Sequence, residues 1–383
     1  MSTVWTIVIA ILAFTAMIFV HELGHFMFAK LFKIQVHEFA LGMGPAIFKK
    51  KIGETLYSIR CVPFGGFCSM DAEDETSASP RAFRNVAKWK RAVVLSAGAV
   101  FNIIFGFILF VIIVGSANTV KVPVVDSYIS GSYIEEAGII DGDRIIALDG
   151  TAINIYDDFS FFMDRIDGSK AIDVTVQRGD TSYTFSVKPT KSENVFHINK
   201  DDVTVKSYIN GQVTETQTIS RDRINAPDAK VGDVITQSRY LLGFTPREEP
   251  NSFGATIHEA FYSTLFNGKV VYISLYELIT GKVPANQVMG AIGIIDTMGA
   301  AARAGWKVLF SLLALISINL GIMNLLPIPA MDGGRLLFLL IEAIIRKRIP
   351  PEKEGIVHLI GFILLIALMI LLAFNDIMRL FGL

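Results

Sequence analysis

Cysteine is nearly absent, Cys61 and Cys68 being the only two in 383 residues. A disulfide framework and a four-cysteine zinc site are thereby excluded, and both are read as packing residues. Charge is scarce too. Asp, Glu, Lys and Arg make up 19% of the chain and hydrophobic residues 52%, whereas an ordinary soluble domain carries about a quarter charged residues. Neither sign dominates, with 35 Lys and Arg against 36 Asp and Glu. A nucleic-acid partner, which needs a basic surface, is not expected.

What is present in quantity is apolar sequence. About 20 apolar residues cross a bilayer core, and backbone groups there must bond internally. Four stretches qualify: Val4 to Phe28, Ala92 to Val114, Val308 to Leu326 and Ile356 to Phe374. A cleaved signal peptide is not expected, because the first stretch is long, lacks a basic leader and carries His21 and Glu22 where small residues belong. The link between the first two spans is rich in Lys and Arg, from Lys30 and Lys33 through Lys49 to Lys51 and on to Lys90 and Arg91. The link between the last two carries Arg335, Arg346, Lys347, Arg348 and Lys353 and is read as a short loop. Both links are assigned to the cytoplasm by the positive-inside rule, which leaves the termini and residues Ala117 to Ala304 outside.

Within the outer segment, Val122 to Ser127, Arg144 to Leu148, Ile172 to Arg178 and Tyr183 to Val187 read as strands, and Tyr156 to Ile166 as a helix. Gly131 to Gly138 reads as a turn leading into a short helix. The string from Gly131 to Gly150 resembles the core of a bacterial PDZ domain. Residues from about 192 to 237 read as an insertion before a last strand near Leu241 to Thr245. Phe253 to Ile279 is amphipathic and suits a helix lying on the membrane surface, with a fifth crossing as the rival.

Chemistry is concentrated in His21-Glu22-Leu23-Gly24-His25, an HExxH pattern at the inner end of the first span. Residues four apart share a helix face, so both imidazoles can reach one zinc ion while Glu22 activates its water. By chance the pattern arises in roughly one such chain in a few hundred. A catalytic zinc takes three protein ligands and keeps a position for water. Asp332 offers the third, in Asn324-Leu325-Leu326-Pro327-Ile328-Pro329-Ala330-Met331-Asp332-Gly333-Gly334, a proline-broken end of the third span. The first and third spans run in the same direction, so the two motifs meet at one depth. His37, His197, His258 and His358 have no partner at ligand spacing and are read as bystanders.

HExxH in the first span with NxxPxPxxDG in the third resembles the site-2 protease family of intramembrane zinc metalloproteases. The layout is similar to its bacterial RseP-type branch, in particular single-PDZ, RasP-like members. The resemblance implies one Zn2+ per chain held by His21, His25 and Asp332, with Glu22 as general base. Asn102, in Gly98-Ala99-Val100-Phe101-Asn102, matches a family GPxxN element with alanine for proline. It is expected to serve substrate backbone or oxyanion, an interhelical hydrogen bond being the plainer reading. Asn324 is read as a holder of the unwound substrate. Gly290-Ala291-Ile292-Gly293 resembles a GPxG element, again with alanine for proline. Strand-like stretches Glu38 to Leu41 and Leu56 to Val62, among turns at Gly42 to Pro45 and Phe64 to Gly66, correspond to a membrane-reentrant β-hairpin in the family, though an ordinary cytoplasmic hairpin fits equally.

The chain is therefore expected to be a polytopic α-helical membrane protein of about four transmembrane helices, with a reentrant β region at about 36–70 and an extracytoplasmic α/β PDZ-like domain. Its expected parts are residues 1–116 with the first two spans, 117–250 with the PDZ-like domain, 251–304 with the surface helix and a connector, and 305–383 with the last two spans. The family implies a bacterial cytoplasmic membrane and transmembrane substrates such as anti-sigma factors or signal-peptide remnants, cut after an upstream site-1 protease. The PDZ-like domain would bind peptide or act as a size filter. A membrane-anchored PDZ scaffold and a metal transporter are the alternatives. An anchor needs a single span, and a transporter is expected to carry ionisable residues across the full thickness rather than at one end.

Overall fold

The computed structural model describes residues 3–71, 78–221, 229–282 and 289–380. Parts of the expected insertion (222–228) and connector (283–288) lie outside the described residues. These divide into two units, Met1–Ser116 with Ser263–Leu383, and Ala117–Tyr262.

Among the described residues the first unit has four helices long and apolar enough to span a bilayer, Val8–Leu31, Lys88–Gly115, Trp306–Leu325 and Pro351–Met378, which makes the chain a multi-pass membrane protein. They belong to α1 (Thr3–Leu31), α2 (Lys88–Gly115), α6 (Trp306–Leu325) and α8 (Pro351–Leu380). Also helical are α4 (Phe253–Ile279), α5 (Ala291–Ala304) and α7 (Asp332–Ile345), α4 crossing the boundary between units without counting among the four spans. The link after the third span, expected as a short loop, is a helix over most of its length, because Leu336 to Ile345 is almost wholly apolar.

Small residues bring the helices together. A Cβ on Gly24 of α1 would stand 2.5 Å from the Ala97 carbonyl oxygen of α2, and one on Gly321 of α6 would stand 2.7 Å from the Ala99 carbonyl oxygen. Between helices in lipid, where no hydrophobic force acts, such close backbone approach is the main source of association. Asp376, near the end of α8, accepts from the Gly290 amide at 3.1 Å and the Gly293 amide at 2.9 Å. It thus caps α5 from 83 to 86 residues away in sequence, satisfying amides that a helix start leaves open.

Strands β1 (Val36–Ile52) and β2 (Thr55–Met70) form an antiparallel pair in which each strand bends back. Phe39 pairs with Cys68 on one side and Tyr57 on the other, and Lys50 pairs with Tyr57 again. Four segments therefore lie side by side, in the order 66–70, 36–41, 56–59 and 48–52. The bends fall at Gly42, Gly44 and Gly65, with φ of 85°, 83° and 90°, where an L side chain would be strained. Lys30 and Arg81 both reach Glu54 in the tight end of the hairpin, at 2.9 and 2.7 Å, tying it to the end of α1.

In the second unit β3 (Thr119–Tyr128), β4 (Arg144–Leu148), β5 (Thr151–Ala152), β6 (Ile172–Arg178), β7 (Thr181–Val187) and β12 (Phe244–Pro250) form one sheet, in the order β12-β3-β4-β6-β7 with β5 beside β4. Helix α3 (Tyr156–Met163) supplies Phe159 and Met163 to a core with Ile134, Ile145, Leu148, Val174 and Val176. The short helix expected after Gly131 is a series of turns. Gly131 and Gly138 both take positive φ, 79° and 92°, and the six residues between them are too few to repay a helix nucleus. Between β7 and β12 the chain builds a second sheet of β8 (Thr190–Ile198), β9 (Asp202–Ile209), β10 (Gln212–Ser220) and β11 (Val234–Leu241), ordered β10-β9-β8-β11 around Ile198, Val203 and Val205.

Candidate metal centre

HExxH lies in the second half of α1, where His21 and His25 share a face one turn apart. That face meets α2 at Gly98, where a Cβ would stand 2.5 Å from His25 Nε2 and 2.7 Å from His21 Cε1. Only glycine leaves room for both rings. Asp332 arrives from the other end of the chain as the first residue of α7, after a linker containing Pro327 and Pro329. Gly333 and Gly334 let this helix start against the backbone of 325–329, since a Cβ on Gly334 would lie 2.5 Å from the Ile328 carbonyl oxygen.

Asp332 Oδ2 stands 3.1 Å from His21 Nε2 and 3.2 Å from His25 Nε2, and the two nitrogens are 3.1 Å apart. His25 Nδ1 lies 2.8 Å from the Val94 carbonyl oxygen. A carbonyl only accepts, so Nδ1 carries the proton and Nε2 turns a lone pair toward the other two donors. Asp332 Oδ2 is buried and makes no hydrogen bond of acceptable geometry. Three donors crowded together with an orphaned oxygen among them fit a cation at their centre. Zinc bonds of about 2.0–2.1 Å at tetrahedral angles separate ligands by about 3.3 Å, close to the observed triangle. Two imidazoles and one carboxylate are also a donor set zinc favours.

Glu22 lines the same cavity, of ≈ 570 Å³, with His21, His25, Asp332, Cys68 and His358. Its carboxylate lies near the Cys68 backbone amide. Cys68 lies in segment 66–70, whose inner edge pairs with 36–41. Its amide faces away from that partner, and by strand alternation so do the backbone groups of Gly66 and Met70. An open strand edge thus borders the cavity beside Glu22.

Asn102 is fully buried, its amide nitrogen 3.3 Å from His21 Nδ1. Its contact is with a ring of the histidine pair and bridges α2 and α1. Asn324 is buried in the last turn of α6 and is not among the residues lining the cavity. Sequence reading missed three contributors, namely the Val94 carbonyl, the Cys68 amide and His358. The first two are backbone groups that no side-chain pattern marks. Of the residues lining the cavity, Arg84 pairs with Glu354 of α8 at 3.0 Å, and elsewhere Arg91 of α2 pairs with Glu342 of α7 at 3.2 Å.

Comparison with known proteins agrees with this geometry. The model of peptidase family M50 matches residues 9–368. A provisionally named zinc metalloprotease of Clostridium acetobutylicum is 35% identical over 376 residues, 97% of each chain. Another so named, from Clostridium perfringens, is 33% identical over 372 residues, 97% of this chain and 98% of the relative. A third, from Fusobacterium nucleatum, is 29% identical over 382 residues, 98% of this chain and all of the relative. With a family match across nearly its whole length and relatives of the same extent, the chain belongs to peptidase family M50.

Proposed function

We propose that this metalloprotease is a zinc-dependent endopeptidase of the site-2 type, which hydrolyses peptide bonds within or near the transmembrane segments of single-span proteins. The observation that carries the reading is the meeting of His21, His25 and Asp332 within a 4.8 Å cluster, the two histidines in the second half of the span Val8–Leu31, with Glu22 in the same cavity. His21, His25 and Asp332 hold the metal. Zinc, when bound, acts as a Lewis acid and makes its water a nucleophile near neutral pH.

Glu22 takes the proton from the attacking water and returns it to the departing amine. A substrate helix hides its amides in internal bonds and has to unwind before it is cut. The open edge at Gly66, Cys68 and Met70 holds the unwound stretch as an added strand. An arriving carbonyl competes with Glu22 for the Cys68 amide, so strand pairing releases the carboxylate for its work as base. Segment 36–70 dips into the membrane from the cytoplasmic face. The PDZ-like unit, with the four-stranded sheet inserted before its last strand, lies on the far side of a bacterial cytoplasmic membrane and limits entry to substrates already shortened by another protease.

The test uses the full chain in detergent with a single-span substrate, comparing untreated enzyme, Glu22→Gln and chelator-treated enzyme. Cleavage by the first alone is expected. Equal cleavage by all three would end the proposal.

A further inference from the structure

His358 lies on α8, the last span, and its Nδ1 accepts from the Ala330 backbone amide at 2.9 Å. Ala330 sits two residues before Asp332 in the linker between α6 and α7. It takes φ of 73°, a left-handed conformation that a side chain makes unfavourable. The linker has little to hold it in that shape. Pro327 and Pro329 have no amide hydrogen to give. Ile328 and Met331 donate within the linker, to the carbonyls of Leu326 and Ile328. The Ala330 amide instead reaches across to α8.

Two further contacts sit on the same side of α8. One turn after His358, Gly361 faces Pro329 so closely that any Cβ would overlap the proline ring. The His358 ring also lies against Phe338 of α7, with ring centres 5.8 Å apart. The histidine therefore touches the chain both before and after Asp332. Because Nδ1 accepts, its proton is on Nε2 and the ring is neutral in this contact.

We propose that His358 is a positioning residue for the metal centre. By accepting from Ala330 it keeps the linker in its left-handed turn, and this turn aims the Asp332 carboxylate at the two imidazoles. The inference rests on the reading of Asp332 as a zinc ligand. It makes the last span, which supplies no ligand among the described residues, a support of the centre. A ligand held in place before the ion arrives binds it more tightly, and partners of this outer kind are worth about 10- to 100-fold in metal affinity.

The test measures zinc affinity of the full-length protein in detergent by competition with a chromophoric chelator, and the melting temperature of the metal-free protein. His358→Leu removes the acceptor, His358→Asn keeps one close to the Nδ1 position, and Asp332→Ala is the reference. Expected are loss of stoichiometric zinc in Asp332→Ala, an affinity weakened about 10- to 100-fold in His358→Leu, and recovery to within about threefold of the parent in His358→Asn. The melting temperature of the metal-free His358→Leu protein should match the parent's. Zinc binding by His358→Leu equal to the parent's, beside a defective Asp332→Ala, would overturn the inference and leave Asp332 a ligand. Retained zinc in Asp332→Ala would remove the ligand reading and this inference with it. A lowered melting temperature in His358→Leu with no recovery in His358→Asn would reduce His358 to a packing role.

Discussion

Asn102 and His21 meet amide nitrogen to ring Nδ1 at 3.3 Å, while the Asn102 Oδ1 is buried without a hydrogen-bond partner. Oxygen and nitrogen of an amide are distinguished by their bonding, and turning this one over gives Oδ1 a donor in the His21 Nδ1–H. Both histidines then carry the proton on Nδ1, His25 toward Val94 and His21 toward Asn102, and both direct lone pairs inward. Asn102→Leu is expected to weaken zinc affinity about tenfold or more, and Asn102→Asp to preserve it, because a carboxylate still accepts from Nδ1. Equal affinities for Leu and Asp would exclude this arrangement.

Gly98→Ala places a methyl group at 2.5 Å from His25 Nε2. A single added carbon in a packed site costs about 1–3 kcal/mol, and here the displaced atoms are the donors of the proposed metal site. Loss of bound zinc and of proteolysis is expected, with the protein still inserted and folded. The enlarged side chain should leave a readily measured apo-protein, and metal content by mass spectrometry checks it.

The Arg91–Glu342 pair has side chains only 8% and 3% exposed. Removing one partner strands a buried charge, at about 3–5 kcal/mol. Glu342→Ala is therefore expected to lower stability severely, and Arg91→Met with Glu342→Leu much less, since no charge remains to desolvate. Thermal unfolding in detergent separates the two cases. Similar losses in both would mean that the pair matters through packing alone.

Glu259 in the second unit has its carboxyl pushed up to about 7, mainly by burial and further by Asp157 and Asp158. A carboxyl raised in the folded state stabilises it below the unfolded pKa of about 4.5, and this contribution is lost as pH climbs through 7. Protection from hydrogen exchange in peptides around 153–159 and 255–260 should rise when pH falls from 8 to 5, by no more than about 2 kcal/mol after intrinsic rates are corrected. Glu259→Gln should flatten that dependence. A profile unchanged by the substitution would assign it to other groups.

The four spans were legible because each is a long local run of apolar residues, a signal that needs no knowledge of neighbours. His21, Glu22 and His25 were legible for a related reason, since helix periodicity alone puts them on one face. Asp332 was marked by its prolines and glycines rather than by any local fit to zinc. Asp376, His358 and Cys68 were not legible. Asp376 caps a helix begun more than eighty residues earlier, His358 is singled out by the amide of Ala330, and Cys68 contributes through its backbone. In the second unit, strands with clean alternation such as Ile172 to Arg178 emerged with the expected limits. The turns after Gly131 were mistaken for a helix because a pattern of apolar residues cannot report how few lie between two left-handed glycines.

Backbone meets backbone where α1, α2 and α6 cross, at Gly24 against Ala97 and at Gly321 against Ala99, and no rotamer change can prise such surfaces apart. The last span is different. In its most apolar stretch 6% is buried in protein, and among the described residues its links run to Arg84, Ala330, Pro329, Phe338, Gly290 and Gly293. Three spans thus make a close-packed support, while the fourth wall hangs on a few fasteners. Bilayer thickness and composition are therefore expected to act first on that wall, and a rate that shifts with the surrounding lipid is the outcome to look for.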